Sequence, residues 1–249
     1  HYLYSILAII WVGINFYGLY IIGHDGLHRK LFKDINVNDL FNDILILGSI
    51  GAITRINRIN HIEHHLHTAL EDDPDKYKYE HNGKDPFINY FLFLLGVKTL
   101  LTSFKNIFVK PLLYKKRKNA KTLYKSRDIT ILISWQLFLI IFLTYLFGWF
   151  GYIFYWIIPV YIFSYRADIV RVFCEHSTKT PDVSSYKDLR LVSFESNFFE
   201  KLFFAPHNMH CHISHHLWTS IPYYNLNKAE KLIFDKNENF KWRKSYISY

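Results

Sequence analysis

The chain has 249 residues and only two cysteines, Cys174 and Cys211. That is too few for a disulfide framework, and nothing in them argues for a secreted, oxidised domain. It lacks a Met at its first position and runs straight into apolar sequence, so a missing N-terminal piece is expected. Charge is absent from two long stretches. Residues 2–23, YLYSILAIIWVGINFYGLYIIG, carry none over 22 positions. As a helix they extend about 33 Å, enough to cross a hydrocarbon core of about 30 Å. A signal peptide is disfavoured, because there is no basic leader and no small-residue cleavage site, and the run is too long. Residues 129–165 contain no Asp, Glu, Lys, Arg or His over 37 positions, too many for one crossing. Gly148-Trp149-Phe150-Gly151 offers a turn near their middle, which predicts a hairpin of two spans, 129–147 and 151–165. The chain also lacks internal repeats and, beyond the basic run KKRKNAK at 115–121, any low-complexity linker.

What is present is concentrated elsewhere. Of the 30 Lys and Arg, 18 fall in 24–128 and 12 in 166–249. Three crossings put both regions on one face, and the positive-inside rule makes that face cytoplasmic. Thirteen of the 14 histidines lie in the same two regions. Residues 44–53, ILILGSIGAI, are too short to span and suit a re-entrant or interfacial helix. Residues 87–104 enclose Lys98, and a crossing there would part the two charged regions, so an amphipathic helix on the membrane surface is expected.

The histidines fall into spaced groups. In GHDGLH, His24 and His28 share a helical face if the first span continues past Gly23, the i,i+4 relation that lets two imidazoles reach one metal. His61, His64 and His65 of HIEHHLHT have i, i+3, i+4 spacing and can converge. Ile62 stands where a zinc-protease helix needs Glu, so that motif is excluded. His212, His215 and His216 repeat the HxxHH geometry. Neutral imidazole suits iron, zinc or copper. Eight convergent rings exceed what one four-coordinate zinc uses and favour two metals. His67 points away from its neighbours, and His207 and His210 fall outside the last triad.

Together these residues carry a resemblance. GHDGLHRKLF, NHIEHHLHTALEDDPD and HISHHLWTSIPYYNL resemble the three histidine boxes of the membrane-bound fatty acid desaturase superfamily, from about residue 20 to 230. The short first box and the EDDPD are most similar to bacterial lipid desaturases of the rhizobitoxine-desaturase-like type. Thr219 departs from a common Pro, and one span precedes the first box where the family usually has two. The resemblance implies an all-α integral membrane fold, one domain over 1–249, with a cytoplasmic helical cap holding two non-haem irons. It implies a further ligand after the last span, His176, which a continuing helix carries about 15 Å towards the site. It also implies that Asn208 approaches one metal through water.

Asp25, Glu63 and Glu175 stand beside the boxes and can accept the free N–H of a ligand imidazole. They can equally be solvated or ion-paired acids, as Glu175 is suited to be with Arg171 at i,i+4. The chemistry implied is O₂-dependent desaturation of a lipid acyl chain, with hydroxylation or ketolation of a lipid or carotenoid as the alternative on the same scaffold. The implied partners are an apolar substrate, O₂, the membrane and an electron donor such as ferredoxin or cytochrome b5, and no nucleic acid. A transporter of metals or other ions needs ionisable residues within its spans, and these spans have none. The basic run reads as lipid-headgroup contact, as a donor dock or as ordinary positive-inside charge.

Overall fold

The computed structural model describes residues 2–79, 101, 126–176, 191–234, 242–243 and 246. The expected helix at 87–104 (Leu101 apart) and the basic run at 115–121 lie outside them. Three helices are long and apolar enough to cross a membrane. They are α1 (Tyr2–Leu27), α4 (Ser126–Phe147) and α5 (Ile153–His176). Between α1 and α4 come α2 (Ile35–Ile50) and α3 (Thr54–His67), bent by 90° at the break between them. After α5 follow α6 (Phe198–Phe203), α7 (His212–Leu217) and α8 (Tyr223–Phe234).

α4 shows why these segments need an apolar surround. Its large side chains stay exposed, Ile141 at 68% and Tyr145 at 85%, a larger apolar face than a water-soluble monomer leaves open. The turn to α5 follows the expected Gly148–Gly151 stretch. Gly148 has φ +79°, which a residue without Cβ adopts freely, and the Gly151 N–H donates to the Gly148 carbonyl at 2.8 Å. Beyond it, α5 runs unbroken past residue 165 to His176, through wider i→i+5 turns around Pro159. α5 therefore ends on a histidine, and α1 carries His24 in its last turn with His28 just past Leu27.

The end of α1 is buried, so its last carbonyls need protein donors. Asn42 Nδ2 bonds the Gly23 carbonyl at 3.1 Å, and Asn38 Nδ2 bonds that of Gly26 at 2.9 Å. Arg58 donates to the carbonyls of Leu27 (2.7 Å) and Gly26 (3.0 Å), and its guanidinium also pairs with Asp39. A cation here also opposes the negative end of the helix dipole. Gly26 is required by the packing, because a Cβ on it would lie 2.4 Å from Asn42. These bonds fix α2 and α3 against the first histidine box.

The 44–53 segment is a helix interrupted by a π turn and closed by Gly51 at φ +83°. Trp135 Nε1 donates to the Ile44 carbonyl (2.6 Å), Gln136 Nε2 to that of Gly48 (3.1 Å) and Trp156 Nε1 to that of Ser49 (2.9 Å), pinning it to the hairpin. The fold is mainly helical, with one departure from an all-α reading. Ser193–Phe194 (β1) pairs in parallel with Trp242–Arg243 (β2). Two residues per strand give no periodic pattern, so the sequence carries no signal for this pairing.

Candidate metal centre

Nine histidines from four segments meet in one buried region. His24 and His28 come from the end of α1, His61, His64 and His65 from α3, His176 from the last position of α5, and His212, His215 and His216 from α7. They sort into two groups. His24, His28, His61, His65 and His215 place one ring nitrogen each within 4.8 Å of one another, and so do His64, His176 and His216. His212 joins the second group, its Nε2 lying 2.8 Å from Nε2 of His176 and its ring 4.4 Å from that of His216.

The sequence reading has His61, His64 and His65 converging as one triad, and the structure divides them. At about 100° per residue, positions i and i+4 lie about 40° apart while i+3 falls about 60° to the other side. Accordingly His61 and His65 serve the first group and His64 the second. α7 repeats the split in mirror sense, with His212 and His216 in the second group and His215 in the first.

Within the first group, Nε2 of His61 lies 2.8 Å from Nε2 of His28 and 2.9 Å from that of His65, which is 3.1 Å from Nε2 of His215. A neutral imidazole has one ring proton and one in-plane lone pair. The three Nε2–Nε2 contacts in this file cannot all be hydrogen bonds, because each nitrogen brings only one proton or one lone pair, and a cation among them resolves the conflict. Two ligands about 2.1 Å from a metal and at right angles are about 3.0 Å apart, in keeping with these contacts. The second group has its own orphans, since Nδ1 of His176 and Nε2 of His216 are buried without a hydrogen-bond partner.

Burial favours the neutral form of six of these rings. It lowers His28 to about 4 and His65 to about 2, helped by nearby Lys30 and Arg58 for the first and by His28 and His64 for the second. Burial, then neighbouring rings, holds His61, His212, His215 and His216 well below the usual histidine range. Their lone pairs are therefore free for a metal near pH 7.

The two groups differ behind the rings. Nδ1 of His64 meets both oxygens of Asp73, at 2.9 and 3.1 Å, and Asp73 accepts the Tyr79 hydroxyl at 2.5 Å and the Asp75 N–H at 2.8 Å. Burial alone would raise Asp73, but these donors outweigh it and hold its carboxyl below the ordinary range. Nδ1 of His212 lies 3.1 Å from Glu175 Oε2. Its N–H is not aimed along that line, so the contact is electrostatic rather than a formed hydrogen bond. Glu175 also accepts from Arg171 (2.7 Å) and from the Tyr246 hydroxyl (2.8 Å). Glu175 thus pairs with Arg171, one of the two roles the sequence allowed it, and faces a box histidine without accepting its N–H.

A model described as fatty acid desaturase matches residues 1–248. The chain belongs to the fatty acid desaturase family. It is similar to the sn-1 acyl-lipid omega-3 desaturase (ferredoxin) of Nostoc sp. (strain 36), 26% identical over 276 residues, covering 96% of this chain and 72% of that protein. No solved structure matches it.

Three polar residues proposed from the sequence to support the desaturase's ligands lie elsewhere. Asp25 accepts the Tyr223 N–H at 2.9 Å, capping α8 from a position 198 residues away. Asn208 has φ +61°, a conformation Asn tolerates, and donates to the Tyr223 carbonyl at 3.1 Å. Both therefore grip one backbone unit and tie the first box to the third, and neither meets a ligand ring. Glu63 stands on the outer face of α3, 3.3 Å from Nδ1 of His67. His207 packs its ring 5.1 Å from that of Tyr223, and His210 is buried outside both groups. Asp73, Tyr79 and Tyr246 went unread. Asp73 was visible as part of EDDPD, but only its turn back along α3 brings it to His64.

Proposed function

We propose that this desaturase is an integral-membrane, di-iron enzyme that uses O₂ and an external electron donor to introduce a double bond into a lipid acyl chain. The observation that carries the proposal is the meeting of nine histidines from four segments as two groups. Two irons held there supply the oxidising power that no side chain has, needed to take hydrogen from an unactivated methylene. In the net reaction adjacent carbons lose two hydrogens. O₂ takes up those two hydrogens, two electrons from the donor and two protons from solvent, and leaves as two waters.

The chain's own residues bind, orient and enclose. His24, His28, His61, His65 and His215 would hold one iron, and His64, His176, His212 and His216 the other. Asn38, Asn42 and Arg58 keep the end of α1 in place beneath the first box, and Glu230 accepts from the Ser214 N–H at 3.1 Å, steadying α7. Spans at α1, α4 and α5 put the histidine ends of α1 and α5 on one face, which the Lys and Arg distribution makes cytoplasmic. The 90° break between α2 and α3 suits a re-entrant segment. A long apolar substrate suits a site at the end of such spans. The ferredoxin in the Nostoc relative's name supports a ferredoxin-type donor, and the acyl-lipid in that name supports a lipid-linked chain rather than a carotenoid.

The test is the lipid profile of cells making the intact protein or His215→Ala, read by mass spectrometry. A product two hydrogens lighter than its precursor, lost in the variant, is the expected result. An added oxygen would make the enzyme a hydroxylase. An unchanged profile in the variant would sink the ligand assignment.

A further inference from the structure

Behind His64 and behind His212 the same order of groups occurs twice, built from unrelated segments. One chain runs His64–Asp73–Tyr79, from α3 into the stretch that directly follows it. The other runs His212–Glu175–Tyr246, its first link a 3.1 Å charge contact and not a formed hydrogen bond, and joins α7, α5 and the stretch after α8. Tyr246 reaches its place because β2 pairs with β1, and its ring stacks on Phe194 of β1 with centroids 3.9 Å apart. Both tyrosines are buried, and burial followed by the adjacent carboxylate raises their hydroxyls above the ordinary range. They therefore stay protonated and act as donors. Among the described residues, none of the five rings of the first group meets a carboxylate.

A carboxylate at the distal nitrogen of a ligand imidazole fixes its ring and makes the metal-facing nitrogen a stronger donor. A hydroxyl on the same carboxylate holds that carboxylate in register. Resting on the di-iron reading above, we propose that the two irons are held unequally. The iron at His64, His176, His212 and His216 is gripped by imidazoles that two carboxylate–tyrosine chains orient, and the iron at His24, His28, His61, His65 and His215 lacks such support. Asp73, Tyr79, Glu175 and Tyr246 are positioning residues for one metal of the pair. The better-supported iron is the tighter and the more easily oxidised.

The experiment uses the full chain in detergent, loaded with iron-57 and followed by Mössbauer spectroscopy while a ferrous chelator removes metal. Two quadrupole doublets of equal area are expected, one disappearing well before the other. In Asp73→Asn and Tyr246→Phe the slowly lost doublet should change its splitting, and that iron should be held about 10–100-fold less tightly. The early doublet should stay as it was. Phe194→Leu removes the stacking partner without touching the hydroxyl, so it should lower thermal stability and leave both doublets in place. A single doublet, simultaneous loss of both irons, or variants that alter the early doublet would each overturn the proposal. So would Phe194→Leu moving the slow doublet as Tyr246→Phe does, because the tyrosine would then act only by packing. Should Tyr246→Phe fail to fold, Tyr79→Phe repeats the test on a separate segment. Protein that binds fewer than two irons under iron-replete conditions fails differently, overturning the di-iron reading and the inequivalence with it.

Discussion

His61 and His64 stand less than one turn apart on α3, yet they belong to different groups and have different surroundings. His61 contacts two other Nε2 atoms, with rings on every side. His64 has one face to the second group and Asp73 behind it. The difference follows from helical geometry. An i,i+4 pair turns to one side and i+3 to the other, so one HxxHH on each of two facing helices feeds both sites. A box is thus the shared wall of two sites, and shifting either helix disturbs both. The carboxylates, by contrast, come from outside the boxes and serve one site only.

Removing a ring is the harshest way to break this comparison. His61→Ala deletes the nitrogen shared by two short contacts in the first group and should reduce product formation a hundredfold or more. About one iron per chain should remain, in the second group. His176→Ala should cost as much activity and leave the other iron. Iron content with lipid mass spectrometry checks both, and loss of both irons from either variant would mean that the groups do not fill independently.

Arg171 tests the support of the second group. It is buried among Tyr17, Asp168 and Glu175, with bonds of 3.0, 3.0 and 2.7 Å. Lys78 also reaches Asp168. Arg171→Met leaves Glu175 without its cation, and breaking such a buried pair costs about 3–5 kcal/mol. The loss should appear as a lower melting temperature of the detergent-solubilised protein, with release of the second iron accelerated more than that of the first. Equal weakening of both irons would show that the network supports the fold and not one site.

What the sequence made legible here is what is local. Ligand spacing within a box, an uncharged run and a turn such as Gly148–Gly151 are properties of neighbouring residues, and the helices follow from them. The division of each box between two sites follows from the same 100° step but needs the facing helix to show where the second site lies. The sequence leaves the acids beside the boxes open between ligand support and ordinary ion pairs, because nearness along the chain does not give direction. Asp25, one residue after His24, turns to α8, and Glu63, one before His64, turns to solvent. Asp73 and Tyr246 reach their histidines through a reversed turn and a two-residue strand pairing, neither of which leaves a periodic trace. Asn208, which the resemblance sets near one metal, takes a positive φ and bonds the Tyr223 carbonyl, a contact its spacing to His212 does not announce.

Asp25 offers a milder test, because it links the groups without touching a ring. Asp25→Ala removes the acceptor for the Tyr223 N–H and should cost about 0.5–2 kcal/mol, the usual range for a lost helix cap. Asp25→Asn keeps an acceptor and should lose only the charge at the N-terminus of α8, about 0.3–1 kcal/mol. Thermal melts of the two variants should therefore rank Ala below Asn below the parent, with both irons retained. Iron loss in the Asn variant would place Asp25 back among the metal's supports.

The smallest effect belongs to Glu63, which by sequence position looked as well placed as Glu175. Its carboxylate is 39% exposed and its partner is His67, outside both groups. A solvated i,i+4 pair of this kind contributes at most about 0.3–0.5 kcal/mol. Glu63→Gln should leave iron content, chelator kinetics and both Mössbauer doublets unchanged. Glu175→Gln, at 0% side-chain exposure and 3.1 Å from His212, should shift the slow doublet. The two substitutions are the same chemical change beside two histidine boxes. If they act alike, sequence adjacency matters more than the contacts described for either residue, and the assignment of carboxylates to one iron alone is wrong.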